Sequence, residues 1–78
     1  MGRYFFELRN DDGMTPDDEG MELSSRDQIV SETSRIMLDV AHDEFPDRES
    51  AAVSVFVRDE SGRIVSIANL SFSSYWLI

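Results

Sequence analysis

Two runs of alternating apolar residues flank a turn signal, the sequence D-E-S-G at residues 59–62. The runs cover residues 51–58 and 63–72, and the glycine suits the left-handed position of a type I turn followed by a bulge. This pattern predicts a β-hairpin in which Asp59 opposes Arg63. In that register the face predicted to be buried carries three valines of the first strand, each with a partner: Val57 with Val65, Val55 with Ile67, and Val53 with Asn69.

An aromatic-rich segment predicts another strand over residues 3–9, because Tyr4, Phe6 and Leu8 fall on one face of an extended chain. The N-D-D-G sequence that follows predicts a turn, and the acidic stretch after it a loop. Residues 20–23 predict a short second strand that returns beside the first.

One amphipathic helix is predicted over residues 25–45. Ser25 suits the N-cap, Gln28 follows at the spacing of a capping box, and Pro46 stops the helix. Leu38 lies off the apolar stripe and is expected to be partly exposed. The stripe recurs at helical spacing and predicts one buried face; it comprises Ile29, Val30, Thr33, Ile36, Met37, Val40 and Ala41.

These elements predict an α+β fold with the order β-β-α-β-β, in which one helix packs on one face of an antiparallel sheet. The chain has 78 residues, which suits a single domain over residues 1–78 with an apolar C-terminal tail at residues 73–78. Cysteine is absent, so no disulfide or thiolate metal site can stabilise the fold. Small domains without such links often gain stability by oligomerisation.

The charge balance narrows the range of partners. Sixteen acidic residues outnumber seven basic ones, all of them arginine, and the net charge is -9. A chain of this charge repels the phosphates of nucleic acids and of anionic membranes, so we expect neither as a partner. No apolar leader follows the first residues, which favours the cytoplasm.

Several short motifs resemble a known family. They are R-Y-F-F at residues 3–6, the acidic turn that ends at Gly13, D-E-G-M-E-L at residues 18–23, and V-R-D-E-S-G-R at residues 57–63. Together they resemble a family of short bacterial proteins of unknown function, common in rhizobia and their relatives. Its members carry an N-terminal R-Y-F-F strand and an acidic D-x-x-G segment before one helix. The resemblance extends to Phe72 and implies a cytoplasmic bacterial protein, with no activity attached.

The sequence predicts no catalytic residue, no cofactor and no metal site. His42 is the sole histidine, and the adjacent Asp43 does not face it on a helix, so a structural or solvated histidine is expected. The carboxylates of residues 11–19 lack the alternate spacing of a calcium-binding loop. A small metal-binding or hydrolytic domain that uses this acidic loop and His42 is the alternative to a protein without catalytic activity.

One helix can cover only one face of a sheet, and the predicted pattern leaves apolar residues on the other face. Either the tail folds back over that face, or another protein covers it, most simply a second copy. We therefore expect a non-enzymatic protein–protein interaction or regulatory module, a homodimer in the simplest case. The predicted interface residues are Phe5, Phe56, Leu70, Phe72, Tyr75 and Trp76.

Overall fold

The computed structural model describes residues 2–78, which have the predicted α+β fold. The elements are β1 Gly2–Asn10, β2 Gly13–Thr15, β3 Met21–Leu23, α1 Arg26–Glu44, β4 Ser50–Arg58 and β5 Ile64–Ser73. The antiparallel sheet has the order β2-β1-β4-β5, and β3 also pairs with β1. The helix packs on β4. No helix in this part of the chain is long and apolar enough to cross a membrane.

The helix begins and ends where the sequence predicts. The hydroxyl of Ser25 accepts the Gln28 N–H at 3.2 Å, and the Gln28 side chain accepts the Ser24 N–H at 2.7 Å. The first bond satisfies a backbone donor that the first helical turn leaves free, and the second ties Ser24, which precedes the N-cap, to that turn. At the other end, the C-cap residue Phe45 donates its N–H to the Ala41 carbonyl.

The buried face of α1 is narrower than the predicted stripe. Val30 was predicted to lie on this stripe but is 61 % exposed, and Leu38 is 64 % exposed as expected. The hydroxyl of Thr33 donates to the Ile29 carbonyl at 2.8 Å, which satisfies a buried polar group. The residues that are buried are spaced four apart along one line of the helix: Ile29, Thr33 and Met37. Ile36 and Val40 flank that line and are half-buried.

The centre of the core lies on β4. Its inward residues Val53, Val55 and Val57 are at most 2 % exposed. Tyr4 and Phe6 of β1 are buried beside them, as the alternation of the first strand predicts. Burying each such side chain contributes about 1.5–3 kcal/mol, so this layer between sheet and helix dominates the stability of the fold.

The hairpin forms at the predicted place, but its predicted register is wrong beyond the turn. Arg58 opposes Ile64 as expected. A bulge follows, so that Val57 opposes Ser66 instead of Val65. One extra residue in a strand reverses the face on which every later side chain lies.

The bulge therefore exchanges the two faces of β5. Leu70 and Phe72 were predicted on the face away from the helix, but both lie on the helix side. Ile67 was predicted on the helix side, but it lies on the opposite face and is 54 % exposed. The observed pairs are Val53 with Leu70, Val55 with Ala68, Phe56 with Ile67, Ser54 with Asn69, and Ala51 with Phe72.

The strand beside β1 consists of two short pieces. β3 pairs with the start of β1, as predicted. β2 pairs with the end of β1 and replaces part of a predicted loop; three exposed residues carry too little pattern to predict it. Residues 16–20 leave the sheet between the two pieces. There Asp17 accepts the Phe6 N–H at 3.0 Å, in place of a neighbouring strand.

Asp17 and Gly20 organise this interruption. The second carboxylate oxygen of Asp17 accepts the N–H groups of Glu19 and Gly20, both at 3.1 Å. Partial burial raises the pKa of Asp17, but hydrogen bonds from the Phe6, Gly20 and Glu19 N–H groups outweigh this effect and hold the pKa below its ordinary value. Gly20 has a φ of 71°. This D-x-x-G pair therefore has a structural role.

Candidate interaction surface

The sheet face opposite α1, which we call the open face, carries charged groups at its centre. Phe5 and Phe56 lie on it as predicted, and both are half-buried. The Arg9 guanidinium lies 3.9 Å from the centroid of the Phe56 ring, a cation–π contact. Glu7 accepts a hydrogen bond from Arg9 at 2.7 Å and lies 3.8 Å from Arg58. The open face is therefore less apolar than the sequence pattern predicts.

Two of the predicted interface residues lie away from the open face. Leu70 packs against the core on the helix side. The Phe72 ring lies 6.3 Å from the Phe45 ring, at an interplanar angle of 34°, beside the end of the helix. Both corrections follow from the bulge at the start of β5, which the sequence does not reveal.

β5 forms one edge of the sheet and pairs only with β4 among the described strands. The Ser74 N–H donates to the Glu49 carbonyl at 2.8 Å, which sets the alternation of hydrogen bonds along this antiparallel pair. Every second residue of β5 bonds to β4, and the residues between them direct their N–H and C=O groups away from the sheet. We call these residues the outer edge: Ile67, Asn69, Ser71 and Ser73.

The outer edge lies within the longest uncharged stretch of the chain. Residues 64–78, fifteen in succession, contain no Asp, Glu, Lys, Arg or His, although 29 % of the whole chain is Asp, Glu, Lys or Arg. Edge strands are commonly protected from pairing with other chains by charges, by proline or by a covering element. β5 has a bulge at its start but no charge and no proline. This uncharged stretch is the sequence signal that marks the edge strand, and it is independent of the alternation of apolar residues between faces.

β5 includes Ser73, so we now call residues 74–78 the tail. Ser74 still bonds to the Glu49 carbonyl, and the residues after it are exposed. Tyr75 and Trp76 are 83 % and 80 % exposed, and Leu77 and Ile78 are exposed further. The sequence leaves open whether the tail folds back over the face opposite the helix. In the structure the tail does not cover that face. The open face therefore has no cover from the tail of its own chain.

A cleft of about 430 Å³ lies between the start of α1 and the hairpin. Val30 and Val65 give it apolar walls, and Arg26 and Arg63 contribute guanidinium groups. Ser66, a neighbour of the outer edge, also lines it. The cleft thus joins the exposed side of the helix to the edge of the sheet.

The groups that a metal or hydrolytic site would use do not come together. The His42 side chain is 90 % exposed and lies 3.6 Å from Asp43. Asp17 is occupied by three backbone N–H groups, and Asp11 pairs with Arg48 at 2.9 Å. Across the described part of the chain, no group of three or more His, Cys, Asp or Glu residues could hold a metal ion.

Comparison with known proteins identifies a family. No curated protein and no solved structure matches the chain. A family model described as "Domain of unknown function (DUF6894)" matches residues 3–71. The match extends from β1 into β5 and ends before the tail. The chain therefore belongs to this family of domains of unknown function.

Proposed function

We propose that this chain is a small non-enzymatic protein–protein interaction module that binds through the outer edge of β5. The observation that carries the proposal is an open edge strand of ten residues within a stretch that has no charge. Backbone groups on such an edge can pair with an extended strand of another protein. Pairing of this kind requires no catalytic group, no cofactor and no metal.

Side chains near the edge support the same proposal. Ile67 exposes 54 % of its surface on the open face, and Tyr75 and Trp76 of the tail are almost fully exposed. The four tail residues 75–78 are consecutive, apolar and exposed, and exposed apolar surface of this kind is typical of sites that bind other proteins. The net charge of -9 makes nucleic acids and anionic membranes poor partners. We expect the module to act in the bacterial cytoplasm, either as a binding protein or as a regulator of the protein that it binds.

The alternative, a metal-binding or hydrolytic domain, lacks comparable support. Two of its candidate carboxylates are already paired, Asp17 with backbone N–H groups and Asp11 with Arg48. The His42 side chain contacts only Asp43, its neighbour in sequence, among the described acidic residues. A titration with Ca²⁺ or Mg²⁺ followed by NMR tests it directly. Saturable shifts confined to residues 11–19 would favour the alternative.

Photo-crosslinking in cells tests the interaction surface. A photoreactive amino acid at Ser71 lies on the outer edge, and the same amino acid at Leu38 lies on exposed helix surface. We expect protein adducts from position 71 and few from position 38. Equal adducts at both positions, or none at position 71, would argue against the proposed function.

A further inference from the structure

We propose that the occupant of the outer edge is the same edge of a second copy, and that each copy inserts Trp76 into the cleft of the other. This inference rests on the proposed function, since it names the partner that the edge binds. Pairing of the two β5 edges forms a two-fold dimer with one continuous sheet. The arguments come from charge, from backbone alternation and from the position of the cleft.

Charge restricts where two copies can meet. Each copy carries a net charge of -9, so the two repel at most orientations. Residues 64–78 are free of charge, and they coincide with the strand edge that has no neighbour. A contact centred on this stretch sets uncharged side chains of the two copies opposite each other. Its residual repulsion comes from surrounding groups and is screened by salt.

Backbone alternation limits the possible registers to those that place an outward-facing residue of β5 on the two-fold axis. A two-fold axis perpendicular to the sheet makes the two β5 strands antiparallel, and it sets outward-facing groups of one copy against those of the other. With the axis at Ser71, Asn69 opposes the partner's Ser73 and Ile67 opposes the partner's Tyr75. The tail, which has no strand beside it in its own copy, then pairs with the first half of β5 in the partner. Both helices lie on the same side of the joined sheet.

The cleft selects this register from its neighbours. Continued alternation along the tail puts Trp76 on the helix side, because Phe72 lies on that side four residues earlier. With the axis at Ser71, the partner's Trp76 opposes Ser66, which lines the cleft. The cleft offers the indole both Val30 and two guanidinium groups, and an indole packs favourably on either. The inference thus accounts for the exposure of both Val30 and Trp76.

Tryptophan fluorescence tests the inference on the full chain, because Trp76 is the only tryptophan. As protein concentration rises, we expect its emission to shift to shorter wavelength in step with the mass measured by sedimentation equilibrium. A chain that stays monomeric at hundreds of micromolar contradicts the inference, as does a dimer with unchanged emission. If the chain is monomeric and a photoreactive group at Ser71 crosslinks to a different protein, the proposed function holds. In that case the second copy is not the partner that binds the outer edge.

Charge substitutions test the edge and the axis. Ser71→Glu sets two carboxylates together at the axis and should abolish the dimer. Ala52→Glu adds the same charge on the same face at the position opposite Ser71 in β4, one strand inward, and should leave the dimer intact. An equimolar mixture of Ser71→Glu and Ser71→Arg should restore dimers, since opposite charges then meet. Loss of the dimer in Ala52→Glu, or no recovery in the mixture, overturns the edge pairing.

The cleft has its own matched pair of variants on one helix. Val30 and Leu38 are 61 % and 64 % exposed, but only Val30 lines the cleft. Val30→Glu should weaken the dimer and keep the Trp76 emission at the wavelength of an exposed indole. Leu38→Glu should change neither. Equal behaviour of the two variants would exclude the cleft as the site of Trp76.

Discussion

Replacing Gly20 by alanine tests how tightly the interrupted edge of β1 is packed. A Cβ atom at this position would lie 2.9 Å from the Tyr4 carbonyl oxygen and 2.8 Å from side-chain atoms of Arg3 and Phe5. The arginine side chain can move away, but the carbonyl belongs to a strand that pairs on both sides. The substitution must therefore displace residues 16–20 or β1 itself.

Gly62 supplies the matched control. It too has a positive φ, 88° against 71° for Gly20, but a Cβ atom there would meet nothing within 4 Å. Alanine in a left-handed conformation costs about 1–2 kcal/mol, and the gain from a less flexible unfolded chain is similar at both sites. Overpacking adds about 1–3 kcal/mol at Gly20 alone. We expect Gly62→Ala to lose about 1–2 kcal/mol and Gly20→Ala about 2–5 kcal/mol.

Urea unfolding followed by circular dichroism measures both losses, provided that the slope of free energy against urea is unchanged. Small domains hold about 5–15 kcal/mol in total, so the lower unfolding midpoint of Gly20→Ala should be evident. Equal midpoints for the two variants would refute the close approach of Gly20 to β1. A lower midpoint for Gly62→Ala would refute the reasoning altogether.

Three further predictions concern the core, pH and metal. Met37→Ala should lose about 2–5 kcal/mol in the same assay, and Leu38→Ala less than about 0.5 kcal/mol, because only Met37 is buried; equal losses would contradict the assigned helix face. The pKa of Asp17 is lowered by folding, so its ionised form stabilises the fold at neutral pH, and this contribution is lost as pH falls below about 4. The unfolding free energies of wild type and Asp17→Asn should therefore converge in acid. A difference that widens there would mean that folding raises the pKa of Asp17. Addition of Ca²⁺ or of a chelator should leave the midpoint unchanged, whereas a rise with micromolar Ca²⁺ would reveal a site in residues 11–19.

Local signals in the sequence predict the helix and the three long strands β1, β4 and β5. Ser25, Gln28 and Pro46 define the helix because capping and proline act within a few residues. The alternation of Val53, Val55 and Val57 identifies the buried face of β4 because all three lie in one unbroken strand. Each of these predictions depends only on residues close together in the chain.

The bulge and the interrupted strand depend on tertiary structure instead. Nothing local distinguishes Val65 as the extra residue, since a regular pairing with Val57 also looks favourable on one face. That single residue moved Leu70 and Phe72 out of the predicted interface and brought Ile67 towards solvent. Likewise, β2 exists because β1 offers it a partner, and Asp17 bonds to Phe6 across eleven positions.

The alternation of apolar residues predicts which face of a strand is buried, but it does not predict which strand lies at the edge of the sheet. The order of the strands in the sheet determines which strand lies at the edge, and the sequence does not predict that order. Phe5 and Phe56 were assigned to the correct face, but the Arg9 contact over the Phe56 ring needs a register between β1 and β4. The sequence shows that residues 64–78 carry no charged side chain. Only the strand order shows that this stretch lies at the edge of the sheet.

Residue-resolved amide hydrogen exchange of β5 can show whether the outer edge is the surface that binds. The N–H groups of Ala68 and Leu70 bond to β4, whereas those of Asn69 and Ser71 point outward. In dilute protein the first pair should exchange slowly and the second pair fast. As association increases, the account predicts that Asn69 and Ser71 become protected while Ala68 and Leu70 change little. Association that leaves Asn69 and Ser71 exchanging as fast as in dilute protein would contradict the claim that the outer edge of β5 is the binding surface.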